Sequence, residues 1–274
     1  MNKPDDPKAA AAIAEERQKN EDAVEHHTVV SQEEWVKQRL QLMEKEKQHM
    51  RAGDELAADV RALPWVKVEK NYLFTSPQGD LTLADLFKQH RQLFIKHFMM
   101  EPGQDWQCEG CSLALDHIDG LLPHFEHHDM SYVAVARAPI EEIEVVRKRM
   151  GWKFCCVSSF KSDFNYDFHV SFRPDEVKAG KTTYNFREHK IGAETYTLSG
   201  HSIFYKNAKG DIFHTYGAFG RSDEQFMGIF RFLDALPKGR EEYGPRHSLP
   251  DWAKVHDQYD DAGISEVACG CASR

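Results

Sequence analysis

The chain has 274 residues, enough for one or two domains, and with 41% hydrophobic residues, 17 Phe and 5 Trp it can bury a sizeable core. Its formal charge of −9 excludes bulk attraction to nucleic acid or anionic lipid, and no stretch approaches the ~20 apolar residues of a membrane-spanning helix. No apolar run follows Met1, so no secretory signal is read, and the six cysteines read as cytoplasmic thiols used for redox or metal chemistry.

Residues 1–30 are Ala-rich and then almost wholly polar, with little to bury, and are expected to be a disordered arm or a frayed helix. Ser31 and Glu34 form a Ser-x-x-Glu capping signature, after which Val36, Leu40, Met43 and Met50 recur on one helical face. Residues 31–62 therefore predict a long surface helix, broken near Gly53 and ended before Pro64, with a face suited to packing or to homodimer formation. Residues 63–74 read as an edge strand, Pro77-Gln-Gly-Asp80 as a turn, and residues 82–90 as a short helix. Leu93-Phe-Ile-Lys-His-Phe-Met-Met100 is a nearly continuous apolar run of the kind that suits a strand covered on both faces.

A helical pattern starts at Cys108 and Cys111, and Pro123 should kink or end it. Residues 131–136 read as a strand, Pro139 opens a helix, and residues 154–160 read as a third strand. Residues 162–190 are an irregular insertion. Residues 201–205 and 211–216 flank Asn207-Ala-Lys-Gly210 as a hairpin, and Ser222 with Gln225 is a second capping signature, before a helix closed by Pro237. Strands alternating with helices, followed by a hairpin, predict one α/β domain over residues 63–237 with a mixed sheet. Residues 238–274 form a polar C-terminal extension and tail.

Cys108-Glu-Gly-Cys111 follows a buried strand and begins a helix. Residues three apart in a first turn are within disulfide range, and the free N–H groups there favour a thiolate. Cys108, nearer solvent, is the expected nucleophile and Cys111 the resolving thiol. His97, on the strand that delivers the cysteines, is the positional candidate for the base that takes the Cys111 proton. A structural zinc site would require a second, suitably spaced pair, and Cys155-Cys156 are adjacent, pointing to opposite faces of their strand. His124, His127 and His128 read as a solvated helix terminus. Cys269-Gly-Cys271 lies in the tail and reads first as an exposed segment, with exchange with Cys108 or with another chain as the alternative.

The stretches Glu33-Glu-Trp35, Leu63-Pro-Trp-Val66, Leu83-Ala-Asp-Leu-Phe87, His97-Phe-Met99, Cys108-x-x-Cys111-Ser112, Val135-Ala-Arg-Ala-Pro139, Arg149-Met-Gly-Trp152, Ser162-Asp-Phe-Asn-Tyr-Asp-Phe168, His214-Thr-Tyr216 and Leu236-Pro-Lys-Gly-Arg240 together resemble the bacterial and fungal family called domain of unknown function 899. That resemblance implies a thioredoxin-like fold: a central mixed sheet with helices on both faces, here preceded by an N-terminal helical arm. It also implies a dithiol–disulfide oxidoreductase role for Cys108 and Cys111. The chain departs from working thioredoxins in two places. Glu109 puts a negative charge between the cysteines, and Leu198-Ser-Gly-His-Ser202 holds no proline where those proteins carry one. The hairpin is similar to that of peroxiredoxins, with Pro102 and Arg137 as counterparts of their active-site residues, but the threonine of their Pro-x-x-x-Thr pattern is missing. Arg137 would hold a thiolate or an acidic substrate, or else form a surface ion pair.

The expected function is thus a thiol–disulfide oxidoreductase that needs no cofactor and no metal. Its partner would be a thiol or disulfide substrate or a redox partner protein. The alternatives are a peroxiredoxin-like thiol peroxidase, in which Cys111 condenses with a Cys108 sulfenic acid, and a non-enzymatic metal- or ligand-binding module on the same scaffold.

Overall fold

The computed structural model describes residues 7–104 and 106–259. Pro7–Glu25 forms a helix, α1, in the stretch read as a disordered arm or a frayed helix. Its polar face meets the C-terminal extension: Asn20 donates to the Lys238 carbonyl at 3.2 Å, and Glu21 lies 3.5 Å from the Lys238 ammonium. Helix α2, Gln32–Ala62, is capped as its sequence predicts, with Ser31 Oγ accepting from the Glu34 N–H at 3.2 Å. It runs unbroken through Gly53, because one glycine costs a helix only about 1 kcal/mol and many neighbours favour it. No residue of α2 is buried, and Trp35, Val36, Leu40, Met50 and Leu56 are exposed along it.

The stretch expected as one edge strand divides between opposite edges of an eight-stranded sheet. Strand β1, Val66–Lys67, pairs at one edge, whereas β2, Leu73–Ser76, and β3, Gly79–Thr82, close the other. Strand β4, Gln92–His97, is the buried centre. It is followed by α3, Glu109–Leu115, and α4, Leu122–His127. Pro123 begins α4 rather than ending a longer helix, as suits a residue with no N–H to donate. Strand β5, Met130–Ala136, helix α5, Ile140–Arg149, and strand β6, Cys155–Ser158, complete the parallel part.

The insertion holds short helices α6, Phe164–Asp167, and α7, Pro174–Ala179, and a separate hairpin of β7, Lys181–Tyr184, and β8, Arg187–Lys190. Strands β9, Gly200–Lys206, and β10, Ile212–Phe219, form the predicted hairpin, and α8, Gly228–Leu233, follows. Ser222 does not cap α8. It lies inside a 3₁₀ turn over Gly220–Phe226 and accepts from the Phe219 N–H at 3.1 Å.

The sheet order is β1-β10-β9-β4-β5-β6-β2-β3, with β4, β5 and β6 parallel and the β9–β10 hairpin antiparallel beside β4. This is the expected thioredoxin-like α/β fold. The period-2 alternation of β4 divides its side chains between two cores. Phe94 packs against the face covered by α3 and α5, with Cys111, Tyr132, Ile143 and Trp152. Leu93 and Ile95 face the opposite core, with Phe74, Phe87, Phe164 and Phe204. Each large apolar side chain withdrawn in this way contributes about 1.5–3 kcal/mol.

Gly200, at the open end of the β9–β10 hairpin, pairs with His97 on one side and Phe219 on the other. A Cβ at Gly200 would run into the buried Phe219 ring. Gly200→Ala should therefore destabilise the protein by about 1–3 kcal/mol through overpacking. A shift of the urea midpoint checks this, and an unchanged midpoint would contradict it.

Candidate active site

Strand β4 delivers the loop that ends at Cys108, the residue capping α3. Its Sγ accepts from the Cys111 N–H at 3.3 Å and lies 3.8 Å from Met99 Sδ. The turn is fixed around it: Ser112 Oγ donates to the Cys108 carbonyl at 2.8 Å, and Gln107 Nε2 donates to Ser112 Oγ at 2.6 Å. Cys108 is half-buried, and Cys111, one turn inward, is 2% exposed. Gly110, between them, lies against Leu249, and a Cβ there would come within 2.7 Å of Leu249 Cδ2.

The charged group beneath the pair is Lys96. Its side chain is wholly buried, and its ammonium donates to Asp223 Oδ2 at 2.6 Å. Asp223, 2% exposed, also accepts from Ser199 Oγ at 3.0 Å and pairs through Oδ1 with His201 Nδ1. Burial works against the lysine charge, but Asp223, Cys111 and Cys108 outweigh it and raise the Lys96 pKa. Asp223 is held far below the usual carboxylate range: burial opposes this, and Lys96 and His201 overcome it. Burial first, then the Lys96 charge, lowers His201 to about 4, so its imidazole is neutral at pH 7.

The two thiols titrate as one unit. The Cys108 thiol donates toward the Cys111 sulfur, and that bond, with burial, pushes Cys108 well above the ordinary thiol value. Cys111 is lowered chiefly by accepting the same bond, and Lys96 lowers it further. Within the pair it is thus the inner sulfur, Cys111, whose thiolate is the more favoured. This corrects the expectation of a lowered Cys108, because the strongest positive charge lies under Cys111 rather than at the mouth of the helix.

His97 does not face the cysteines. It follows Lys96 on β4 and so points to the opposite core, where its ring stacks against Phe168 and Phe219 and its Nε2 is hydrogen-bonded to Ser202 Oγ at 2.8 Å. Burial, then the His201 and Lys96 charges, holds its pKa well below the ordinary value. It is a core histidine and not a base for Cys111; the group under the cysteine pair is the charged Lys96. Arg137, just past β5, lies 3.5 Å from Glu101 Oε2, with its guanidinium 4.4 Å from the Tyr166 ring centre. Its charge partner is a carboxylate rather than a sulfur.

The sequence reading missed Lys96, Asp223 and His201. It also missed the wall formed by the C-terminal extension. Leu249 and Ala253 pack with Ala114 and Phe230, and Val255 enters the core that holds Cys111. Their apolar spacing in a polar stretch was the available signal. Cys155 and Cys156 point to opposite cores, as expected of neighbours in a strand, and burial raises both thiols. His124, His127 and His128 are exposed at the end of α4. Among the described residues, no group of three or more His, Cys, Asp or Glu is placed to hold a metal ion, and no helix is long and apolar enough to cross a membrane. Cys269 and Cys271 lie outside the described residues.

Residues 24–259 match the family model described as "Bacterial protein of unknown function (DUF899)", and the chain belongs to that family. No curated protein matches the sequence. Among solved structures, the chain is similar to a Xanthomonas campestris peroxiredoxin Q at 14% identity, over 60% of this chain and 90% of that one, with a TM-score of 0.39. It is also similar to a Chromobacterium violaceum thiol peroxidase at 15% identity (62% and 84% covered, TM-score 0.38) and to Thermus thermophilus apo Sco1 at 19% (63% and 90%, TM-score 0.35). At these scores the overlays carry no weight for function, which is read from the site itself.

Removing the Lys96 charge should raise the first ionisation of the cysteine pair. Lys96→Met alone leaves Asp223 buried and uncompensated, at a cost of about 3–5 kcal/mol. The double variant Lys96→Met/Asp223→Asn keeps the volume without the charges. In it, the pH at which alkylation of the pair reaches half its maximal rate should rise by about one unit or more. An unchanged profile in the folded double variant would contradict the role given to Lys96.

Proposed function

We propose that this protein is a thiol–disulfide oxidoreductase in which Cys108 meets the substrate and Cys111 resolves the intermediate. The observation that carries the reading is the buried Lys96 ammonium beneath a cysteine pair of which Cys108 is half-buried and Cys111 buried. A buried lysine lowers the free energy of the Cys111 thiolate both before and after exchange.

The proton shared between the sulfurs moves to Cys111 as Cys108 attacks one sulfur of a substrate disulfide. A mixed disulfide forms, and the other substrate sulfur leaves as a thiolate. Cys111 gives up its proton to that leaving sulfur, and the new thiolate, stabilised by Lys96, attacks Cys108 Sγ. The Cys108–Cys111 disulfide forms and the second substrate sulfur departs as a thiolate. Two electrons pass to the substrate, and the exchange calls for no cofactor or metal. The disulfide-bearing partner is a small molecule or a redox protein, and a cytoplasmic setting suits a site that works from the reduced state.

Reduced protein mixed with a peptide disulfide should reduce one disulfide per chain and finish with Cys108 joined to Cys111. Cys108→Ser should bring the rate to background, whereas Cys111→Ser should stop at a Cys108 mixed disulfide. Rapid consumption of hydrogen peroxide with no reaction toward disulfides would overturn the reading in favour of a peroxidase.

A further inference from the structure

Helix α2 runs for 31 residues, and no residue along it is buried. At 1.5 Å per residue it is about 46 Å long. Helices in folded proteins take most of their stability from an apolar face packed against another element. The apolar side chains of α2 come in adjacent pairs repeated every seven residues: Trp35-Val36, Leu42-Met43, His49-Met50 and Leu56-Ala57, with a histidine in one place. That repeat keeps a single stripe along the helix and is the spacing by which one helix packs on another. Trp35, Leu42, Met50 and Leu56 are each at least 50% exposed.

Three and four residues on from each pair, and so on the midline of the stripe, stand Arg39, Glu46, Gly53 and Val60. Arg39 Nη2 donates to Glu46 Oε2 at 2.9 Å, and Arg39 Nη1 has no hydrogen-bond partner. This charged midline selects the occupant of the stripe. When a second α2 is laid antiparallel with its Glu46 level with Arg39, two-fold symmetry also sets its Arg39 level with Glu46. The axis then passes between Leu42 and Met43. Leu42 meets Leu42 of the second copy, Met43 meets Met43, Val36 meets Met50, and Trp35 meets His49. The overlap covers residues 32–53, and at no level in it do two like charges face each other. A parallel second copy would instead set Arg39 on Arg39 and Glu46 on Glu46.

We propose that α2 is the self-association surface of this protein. Two copies pair antiparallel through residues 32–53, with Arg39–Glu46 ion pairs on the midline and apolar side chains on both flanks. The second copy's carboxylate supplies the acceptor that Arg39 Nη1 lacks. The pairing is independent of the cysteine chemistry, so it stands or falls separately from the oxidoreductase reading.

Sedimentation equilibrium of the full chain should give a mass twice that of one chain. Arg39→Glu makes the midline wholly acidic, and Glu46→Arg makes it wholly basic. Each variant alone should raise the dimer dissociation constant about tenfold or more, because like charges then meet across the interface. Mixed in equal amounts, the two variants should recover the dimer, since acid meets base at both midline positions. The substituted side chains are on an exposed face, and far-ultraviolet circular dichroism and the urea midpoint of each variant check that the fold is kept.

Orientation is read from Val36→Cys and Met50→Cys chains, mixed, oxidised and mapped as unreduced peptides. The expected cross-link joins position 36 of one copy to position 50 of the other. A wild-type chain that stays at the monomer mass at every concentration overturns the proposal. A dimer that both charge variants leave intact is built on another surface and overturns it as well. Cross-links joining 36 to 36 and 50 to 50, with none between 36 and 50, mean parallel helices and contradict the arrangement.

Discussion

An ammonium group with no access to water, near the C-terminal end of a central β-strand, is the constraint around which this molecule is arranged. Lys96 can keep its charge there only because Asp223 approaches to 2.6 Å from a turn 127 residues further along the chain. Asp223 in turn is held by Ser199 and His201, so the β9–β10 hairpin, the 3₁₀ turn after it and β4 are bound into one polar network. Breaking one partner of such a buried pair typically costs about 3–5 kcal/mol, whereas an apolar replacement of both would be nearly neutral or stabilising. The pair is therefore a weak stabiliser of the fold when considered alone. Its effect on Cys111 gives it a function.

That effect depends on the alternation of a strand. Lys96 and His97 are adjacent, so one must face α3 and the other the opposite core. The lysine lies under the cysteine helix, and the histidine is packed among Phe164, Phe168 and Phe219 on the far side. The same alternation separates Cys155 from Cys156 and buries each where its thiol is disfavoured as a thiolate. Among the described cysteines, Cys111 is thus the one whose thiolate is favoured, while Cys108 keeps the less buried position.

Much of the scaffold is legible in the sequence because its central strands are covered on both faces and read as short apolar runs separated by helical patterns. The cysteine pair at a helix start is legible for the same reason, since the run ending near Met100 leads straight to it. The site's electrostatics are not. Nothing local states which of Lys96 and His97 faces α3, and histidine has the more familiar acid–base chemistry. Asp223 and His201 reach the site only through hairpin register, with Lys96 opposite His201, a pairing that depends on the whole sheet. The two-residue strand β1 and the β2–β3 pair come to opposite sheet edges because tertiary pairing, rather than local pattern, decides where short strands go. The extension over Gly110 is hidden by its polar composition, in which only a few apolar residues make the contact.

The central claim is that Cys108 and Cys111 form a reversible two-electron couple. Its most direct test is a redox titration of the reduced protein in thiol–disulfide buffers, with differential alkylation and mass spectrometry to read each cysteine separately. The account predicts that Cys108 and Cys111 are protected together in a single transition, at a potential between about −180 and −300 mV, while Cys155 and Cys156 stay reduced throughout. A pair that remains reduced across the whole range, or in which Cys108 and Cys111 oxidise independently to mixed disulfides without joining each other, would contradict it.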